Sequence, residues 1–266
     1  MNGDIAIESE NLTRRFGELT AVDRLTMTVP RGVIFGFLGP NGAGKSTTIN
    51  MLISMLPPTA GTARVGGFDI IKQPLEVKRR IGVVPEGLSL YERLSASEQI
   101  ELVGRLHGLS HAEIQRRIPP LLEVLELTAS ADKMILDYSH GMRKKTALAC
   151  ALIHAPEILF LDEPFEGIDP ISTRAIKEVL REMVTQRGTT VFFSTHVMEL
   201  AEQFCDRVGI INKGQLVGLG SLDALRQRAG LPDDAPLEDV FIRTVGAEVK
   251  SEELLAWLTE ARGQSG

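Results

Sequence analysis

Apolar residues fall into short blocks along this chain, separated by Gly-rich, Pro-rich or polar stretches. Gly32 to Leu38 is apolar at consecutive positions and bounded by glycine, the pattern of a strand buried on both faces. A Gly-rich turn follows, and Ser46 to Leu56 reads as a helix stopped by Pro57 and Pro58. Further buried strands are expected at Ile158 to Leu161, Thr190 to Ser194 and Arg207 to Ile211, with helical stretches such as Ile171 to Gln186 between them. Strand alternating with helix implies a parallel sheet covered on both faces.

The middle of the chain, about Leu94 to Ala155, has a different pattern: helical, with no clear strand. Ser95 with Glu98 and Ser110 with Glu113 have the spacing of capping boxes at helix starts. Pro119 and Pro120 interrupt the second helix, so a break or kink is expected there. This segment reads as a helical insertion between two halves of an α/β core. Beyond Asn212, Lys213-Gly214 predicts a hairpin turn and Leu231 to Pro236 a Pro- and Asp-rich linker. Ser251 to Arg262 predicts an amphipathic helix with Leu254, Trp257, Leu258 and Ala261 on one face.

Composition narrows the classes. The chain has 266 residues, 43% hydrophobic and 24% charged, as a folded globular protein should. Its net charge of -6, without a basic stripe, argues against nucleic acid as the main partner. Cys150 and Cys205 fit no metal-ligand spacing and read as buried free thiols. Met1 to Glu10 is acidic and lacks the apolar core of a signal peptide, and no apolar stretch approaches the length that spans a bilayer.

The chemistry lies between these blocks. Gly39-Pro-Asn41-Gly42-Ala-Gly44-Lys45-Ser46 matches G-x-x-x-x-G-K-[ST]. The glycines let successive N–H groups turn toward phosphate oxygens, Lys45 can reach the β- and γ-phosphates, and the Ser46 hydroxyl can ligate Mg²⁺. The helix after it points its positive end at the same phosphates. Ile158 to Leu161 ends in Asp162-Glu163-Pro164, two acids at the edge of a parallel strand where ligands bind in such sheets. Asp162 suits a water-mediated hold on Mg²⁺, which leaves Glu163 to orient or deprotonate an attacking water.

Together with Ser194-Thr-His196, these motifs resemble the ATPase subunit of ABC transporters. The resemblance covers about Ile5 to Gly220. The family's signature, usually Leu-Ser-Gly-Gly-Gln, reads here Tyr138-Ser139-His140-Gly141-Met142, keeping Ser139 and Gly141. Gly167-Ile-Asp169 is similar to the D-loop, His196 to the switch histidine, and Phe16 to the aromatic that stacks on adenine. Glu86 stands where the family has the Q-loop glutamine; a carboxylate there can ligate Mg²⁺ but brings negative charge toward the triphosphate. The tail Pro236-Leu-Glu-Asp-Val-Phe241 is similar to cassettes that serve ABC-2 exporters.

The resemblance implies an α/β fold: a P-loop NTPase core with a mostly parallel sheet, an N-terminal antiparallel β region, a helical insertion subdomain and a short C-terminal extension. The expected division is a cassette over residues 1–220, with the insertion at about 94–155, and an extension over residues 221–266. It implies ATP and Mg²⁺ as ligands, with Thr47 joining Lys45 and Ser46 at the phosphates and Ser139 and Gly141 meeting the ATP of a second cassette. It also implies a separate transmembrane permease as partner, and a place on the cytoplasmic face of the membrane. Two other readings are kept: a soluble ABC protein acting on ribosomes or DNA, opposed by the single phosphate loop and acidic balance, and an ATP-binding regulator without turnover, opposed by the Asp162-Glu163 pair.

Overall fold

A computed structural model describes residues 5–246. In chain order the elements are β1 (Ile5–Phe16), β2 (Leu19–Pro30), β3 (Ile34–Leu38), α1 (Lys45–Leu52), β4 (Ala60–Val65), β5 (Phe68–Asp69), α2 (Pro74–Arg80) and β6 (Ile81–Val84). There follow α3 (Ala96–Leu106), α4 (His111–Val124), α5 (His140–Leu152), β7 (Ile158–Asp162), α6 (Pro170–Arg187), β8 (Thr190–Thr195) and α7 (Met198–Phe204). The chain then runs through β9 (Arg207–Asn212), β10 (Gln215–Gly220), α8 (Leu222–Ala229) and α9 (Leu237–Val245).

Two sheets result. An antiparallel sheet has the order β2-β1-β4-β5, and a six-stranded sheet has the order β10-β9-β3-β8-β7-β6. In the second, β9, β3, β8, β7 and β6 run parallel and only β10 turns back. Its reversal is the Lys213-Gly214 turn, where both residues have positive φ (47° and 79°), the twist a two-residue hairpin needs.

The alternation of side chains along the central strands divides the core. Phe35, Phe37, Phe160 and Phe192 point to one face, where they pack with Ile49, Met51 and Leu52 of α1 and with the antiparallel sheet. Ile34, Leu159, Leu161, Val191 and Phe193 point to the other, against α5, α6 and the helical segment. Phe192 stacks on Phe35 with centroids 5.3 Å apart and also meets Phe37 and Phe160. This aromatic cluster anchors the strand ends that carry the site. A third cluster joins Leu38, Val208 and Ile210 of the sheet to Leu225, Leu237 and Val240 of α8 and α9.

Several elements differ from their expectations. The first helix ends at Leu52, earlier than Leu56, and Ser54 then takes a positive φ of 59°, so the chain turns before the prolines. The break expected at Pro119 and Pro120 is absent, since α4 continues to Val124. Both prolines lie on the exposed face, and so do Gln115 and Arg116, whose carbonyls lose a helical donor and can turn to water. The four-residue strand β6 had no expectation of its own. Both capping boxes form as expected, Ser95 with Glu98 and Ser110 with Glu113. The helix expected at Ser251 to Arg262 lies outside the described residues.

Cys150 and Cys205 are free, and burial pushes both thiols up, Cys150 to about 12, so neither forms thiolate at neutral pH. His154, just after α5, donates from Nε2 to the Ile81 carbonyl at 2.9 Å and stacks on His107 with centroids 3.6 Å apart. Its Nδ1 is buried without a partner. A second proton there would find no acceptor; burial, and then the neighbouring His107, lower its pKa to about 4. The unfolded chain therefore takes up this proton first, and stability is lost as pH falls from about 6.5 toward 4. The thermal midpoint of the native chain should fall more steeply across that window than that of His154→Phe, which keeps a flat ring but cannot titrate. Equal slopes in pH-resolved melting would show that this pair does not set the acid response.

Candidate active site

The carboxyl ends of β3, β6, β7 and β8 lie along one edge of the parallel sheet, and each delivers a polar residue there. β3 runs into the phosphate loop. Gly44 has φ +107°, and a Cβ on it would lie 2.5 Å from the Ala21 carbonyl; a Cβ on Gly39 would lie 2.3 Å from that of Ile211. Glycine is required at both places because the loop is pressed against β2 and β9. Lys45 opens α1 and is buried. Its Nζ donates to the carbonyls of Gly39 at 2.8 Å and Pro40 at 3.3 Å, and lies 3.5 Å from Glu163 Oε1. The loop thus curls around its own lysine, in the place where the lysine of such a loop meets phosphate oxygens.

The acids follow from β7. Asp162 and Ser194 face each other across the β7–β8 register, and the Ser194 hydroxyl donates to Asp162 Oδ1. The same Ser194 oxygen accepts from the Glu163 N–H at 3.1 Å. Glu163 takes a positive φ of 47°, and its Oε1 lies 3.0 Å from His196 Nδ1 as well as 3.5 Å from Lys45 Nζ. Both carboxylates are buried (5% and 8% exposed), so these few partners decide their behaviour. His196 itself is half-exposed at the mouth of the site.

Glu86, two residues beyond β6, comes to the same edge. The Ser46 hydroxyl lies 3.5 Å from its Oε2. Ser46, Glu86 and Asp162 are all oxygen donors, the chemistry that suits Mg²⁺. Asn41 and Gly42 form the exposed crest of the loop, and Thr47 follows on α1; neither Asn41 nor Thr47 makes a side-chain hydrogen bond among the described residues. Phe16 closes the β1–β2 hairpin. It is 45% exposed, with the Arg14 guanidinium 4.5 Å above its ring.

The signature residues form a separate group. Ser139 caps α5, its Oγ accepting from the Met142 N–H at 3.2 Å, so its hydroxyl proton remains available to a ligand. Gly141 lies beside the Gly167 carbonyl, and a Cβ on Gly167 would meet the His140 ring at 2.8 Å. The segments about Ser139 to Gly141 and Gly167 to Asp169 therefore abut. Asp169 caps α6 through Ser172, and these hydrogen bonds hold its carboxyl below the usual carboxylate range. No hydrogen bond joins Ser139 to the phosphate loop among the described residues.

Two participants were missed by the sequence reading. Ser194 stood in it only as part of a motif, yet its hydroxyl orients both acids; a serine directly after the apolar run Val191 to Phe193 was the available signal. Lys144, in the basic run Arg143-Lys144-Lys145, had no reading of its own, yet it is 3% exposed and donates to the Glu163 carbonyl at 2.7 Å.

A Gly-rich loop on a helix start beside a strand-end acid defines a P-loop nucleotide-binding protein. Residues 22–166 match the family model described as ABC transporter, and the chain belongs to that family as an ATP-binding cassette. It is 39% identical over 224 residues to the linearmycin resistance ATP-binding protein LnrL of Bacillus subtilis (strain 168), covering 84% of this chain and 72% of that protein. It is 36% identical over 268 residues to the Nod factor export ATP-binding protein I of Paraburkholderia xenovorans (strain LB400), covering 97% and 88%. A solved ATP-binding subunit of an ABC transporter shares the fold with a TM-score of 0.85 at 32% identity, over 90% of this chain and 99% of that one.

Glu86 sets an electrostatic test for the site. Its carboxylate lies beside Ser46, and a triphosphate bound at the loop would add negative charge there, a repulsion that a metal ion or a proton offsets. Glu86→Gln should bind a fluorescent ATP analogue several-fold more tightly in chelator, and the advantage should shrink when Mg²⁺ is added. Equal affinities in chelator would place Glu86 away from the phosphates.

Proposed function

We propose that this chain hydrolyses ATP as the motor subunit of an ABC-2 type exporter, acting in a head-to-tail pair on a separate transmembrane permease at the cytoplasmic face of the membrane. The observation that carries the reading is the place of the Glu163 carboxylate, between the Lys45 ammonium and the His196 ring. Lys45 is held by two loop carbonyls and by Glu163. An incoming triphosphate is a stronger acceptor for that ammonium and draws it away. Glu163 is then free to hold a water at the terminal phosphate and accept its proton, with His196 fixing the carboxylate from the other side. Ser46, Glu86 and Asp162 would hold Mg²⁺, which supplies charge neutralisation at the phosphates.

The exposed start of α5 supports pairing. Ser139 and Gly141 make an anion-binding helix end that the chain's own loop does not use, and a facing cassette can fill it. The reading as an exporter rests on the tail after Pro236 and on relatives named for drug resistance and Nod factor export. The permease is inferred to be another chain because relatives are named as ATP-binding proteins or as an ATP-binding subunit. Its site is placed at a groove near Glu86 and the helical insertion, residues 94–155. Residues 1–220 are taken as the cassette and residues 221–266 as its extension.

Two substitutions test the enzyme. Glu163→Gln should lower turnover by at least about 100-fold while ATP still binds and the pair stays closed. Lys45→Ala should weaken ATP binding itself by roughly 10- to 100-fold through loss of charge-assisted hydrogen bonds. Steady-state phosphate release and gel filtration with ATP read both; full turnover in Glu163→Gln removes Glu163 from the chemistry.

A further inference from the structure

Glu163 occupies a backbone region that is unfavourable for any residue with a Cβ. Both polar atoms of its own backbone are pinned there. Its N–H donates to Ser194, and its carbonyl accepts from Lys144 Nζ at 2.7 Å and, at a longer 3.4 Å, from the Glu166 N–H. This anchoring turns the carboxylate toward Lys45 and His196 rather than along the strand.

Lys144 is an unusual donor for that purpose. It belongs to the run Arg143-Lys144-Lys145, whose outer members find ordinary carboxylate partners, Arg143 with Glu92 at 3.1 Å and Lys145 with Glu126 at 2.7 Å. Lys144 is buried and forms no ion pair among the described residues. Burial draws its amine below the usual lysine range, while the fields of Glu166, Glu163, Glu86 and Asp162 favour its charge. A buried ammonium spent on one backbone carbonyl is costly unless that carbonyl must be held. Lys144 also lies on α5, five residues after the Ser139 cap, about 7.5 Å along the helix axis.

We infer that Lys144 is a positioning residue that ties the Glu163 peptide to the signature helix, so that the carboxylate acting on the chain's own nucleotide is rigidly linked to the helix end that meets the partner's. The inference rests on the roles of Glu163 and Ser139 set out above. A phosphate seated on Ser139 fixes α5, and α5 through Lys144 fixes the turn that aims Glu163. Each site is thereby informed of the state of the other by one side chain within a single chain.

The test uses the purified full-length chain. Lys144→Gln, whose amide is one atom shorter than the amine, and Lys144→Met both lose the contact; Lys144→Arg restores a charged donor. Steady-state ATPase should show kcat reduced at least about tenfold in the Gln and Met variants, as a misplaced catalytic group gives. KM and binding of a fluorescent ATP analogue should stay within about twofold, and Arg should recover most of kcat. In a Glu163→Gln background, Lys144→Gln should leave the ATP-dependent pair intact on gel filtration, because Lys144 acts through Glu163. Turnover within about twofold of the native chain in Lys144→Gln overturns the inference. So does loss of nucleotide affinity or of the pair alongside kcat, which would make Lys144 a packing residue of α5. Glu163→Gln alone separates the underlying reading: if that variant turns over normally, the assignment of Glu163 fails whatever Lys144 does. A native chain without turnover overturns both.

Discussion

The buried contact between Lys45 and Glu163 is the constraint on which the site depends. A lysine and a carboxylate 3.5 Å apart, each less than a tenth exposed, have little water to screen them. Neither is left isolated: loop carbonyls take the remaining donors of the ammonium, and His196 takes the carboxylate. The pair keeps the loop curled and the acid aimed. Removing one partner alone would strand the other charge in the interior, a far greater cost than the pair itself carries.

The fold supplies that contact through strand geometry. Parallel strands bring their carboxyl ends to one edge, and the period-two alternation leaves each strand apolar on both faces up to its last residue. The site's polar groups come where β3, β6, β7 and β8 run out: the loop, Glu86, Asp162 with Glu163, and Ser194 with His196. The backbone ladder sets the spacing of these strands, and the Phe192 cluster packs against one face of them. The two acids differ in environment. Asp162 is held by the Ser194 hydroxyl, a neutral partner, whereas Glu163 lies between two basic groups. That difference fits the proposed roles, Asp162 toward a metal ion and Glu163 toward water.

Much of this was legible in the chain. The short apolar strands of the central sheet and the phosphate loop are written in consecutive residues, where local preference and tertiary packing agree. What was missed depends on other elements. The helix at Pro119 and Pro120 survives because its exposed face lets the orphaned carbonyls reach water, which no local pattern records. The short strand β6 is made by pairing with β7 rather than by its own length. Lys144 looks like its neighbours Arg143 and Lys145 in sequence, and only the packing of α5 against the Glu163 turn separates them. Ser194 is similar: its value comes from two acids on another strand.

The start of α5 makes no hydrogen bond from Ser139 to the chain's own loop, and the proposed function has each chain carry two halves of different sites. A mixing experiment addresses this claim directly. Lys45→Ala chains lose the phosphate loop but keep the signature, and Ser139→Arg chains lose the signature but keep the loop. Neither preparation should hydrolyse ATP alone, and their mixture should, because one composite site in each mixed pair is whole. If no ratio of the two restores hydrolysis while the native chain turns over, the site is not completed by a facing chain and the account is wrong at its centre.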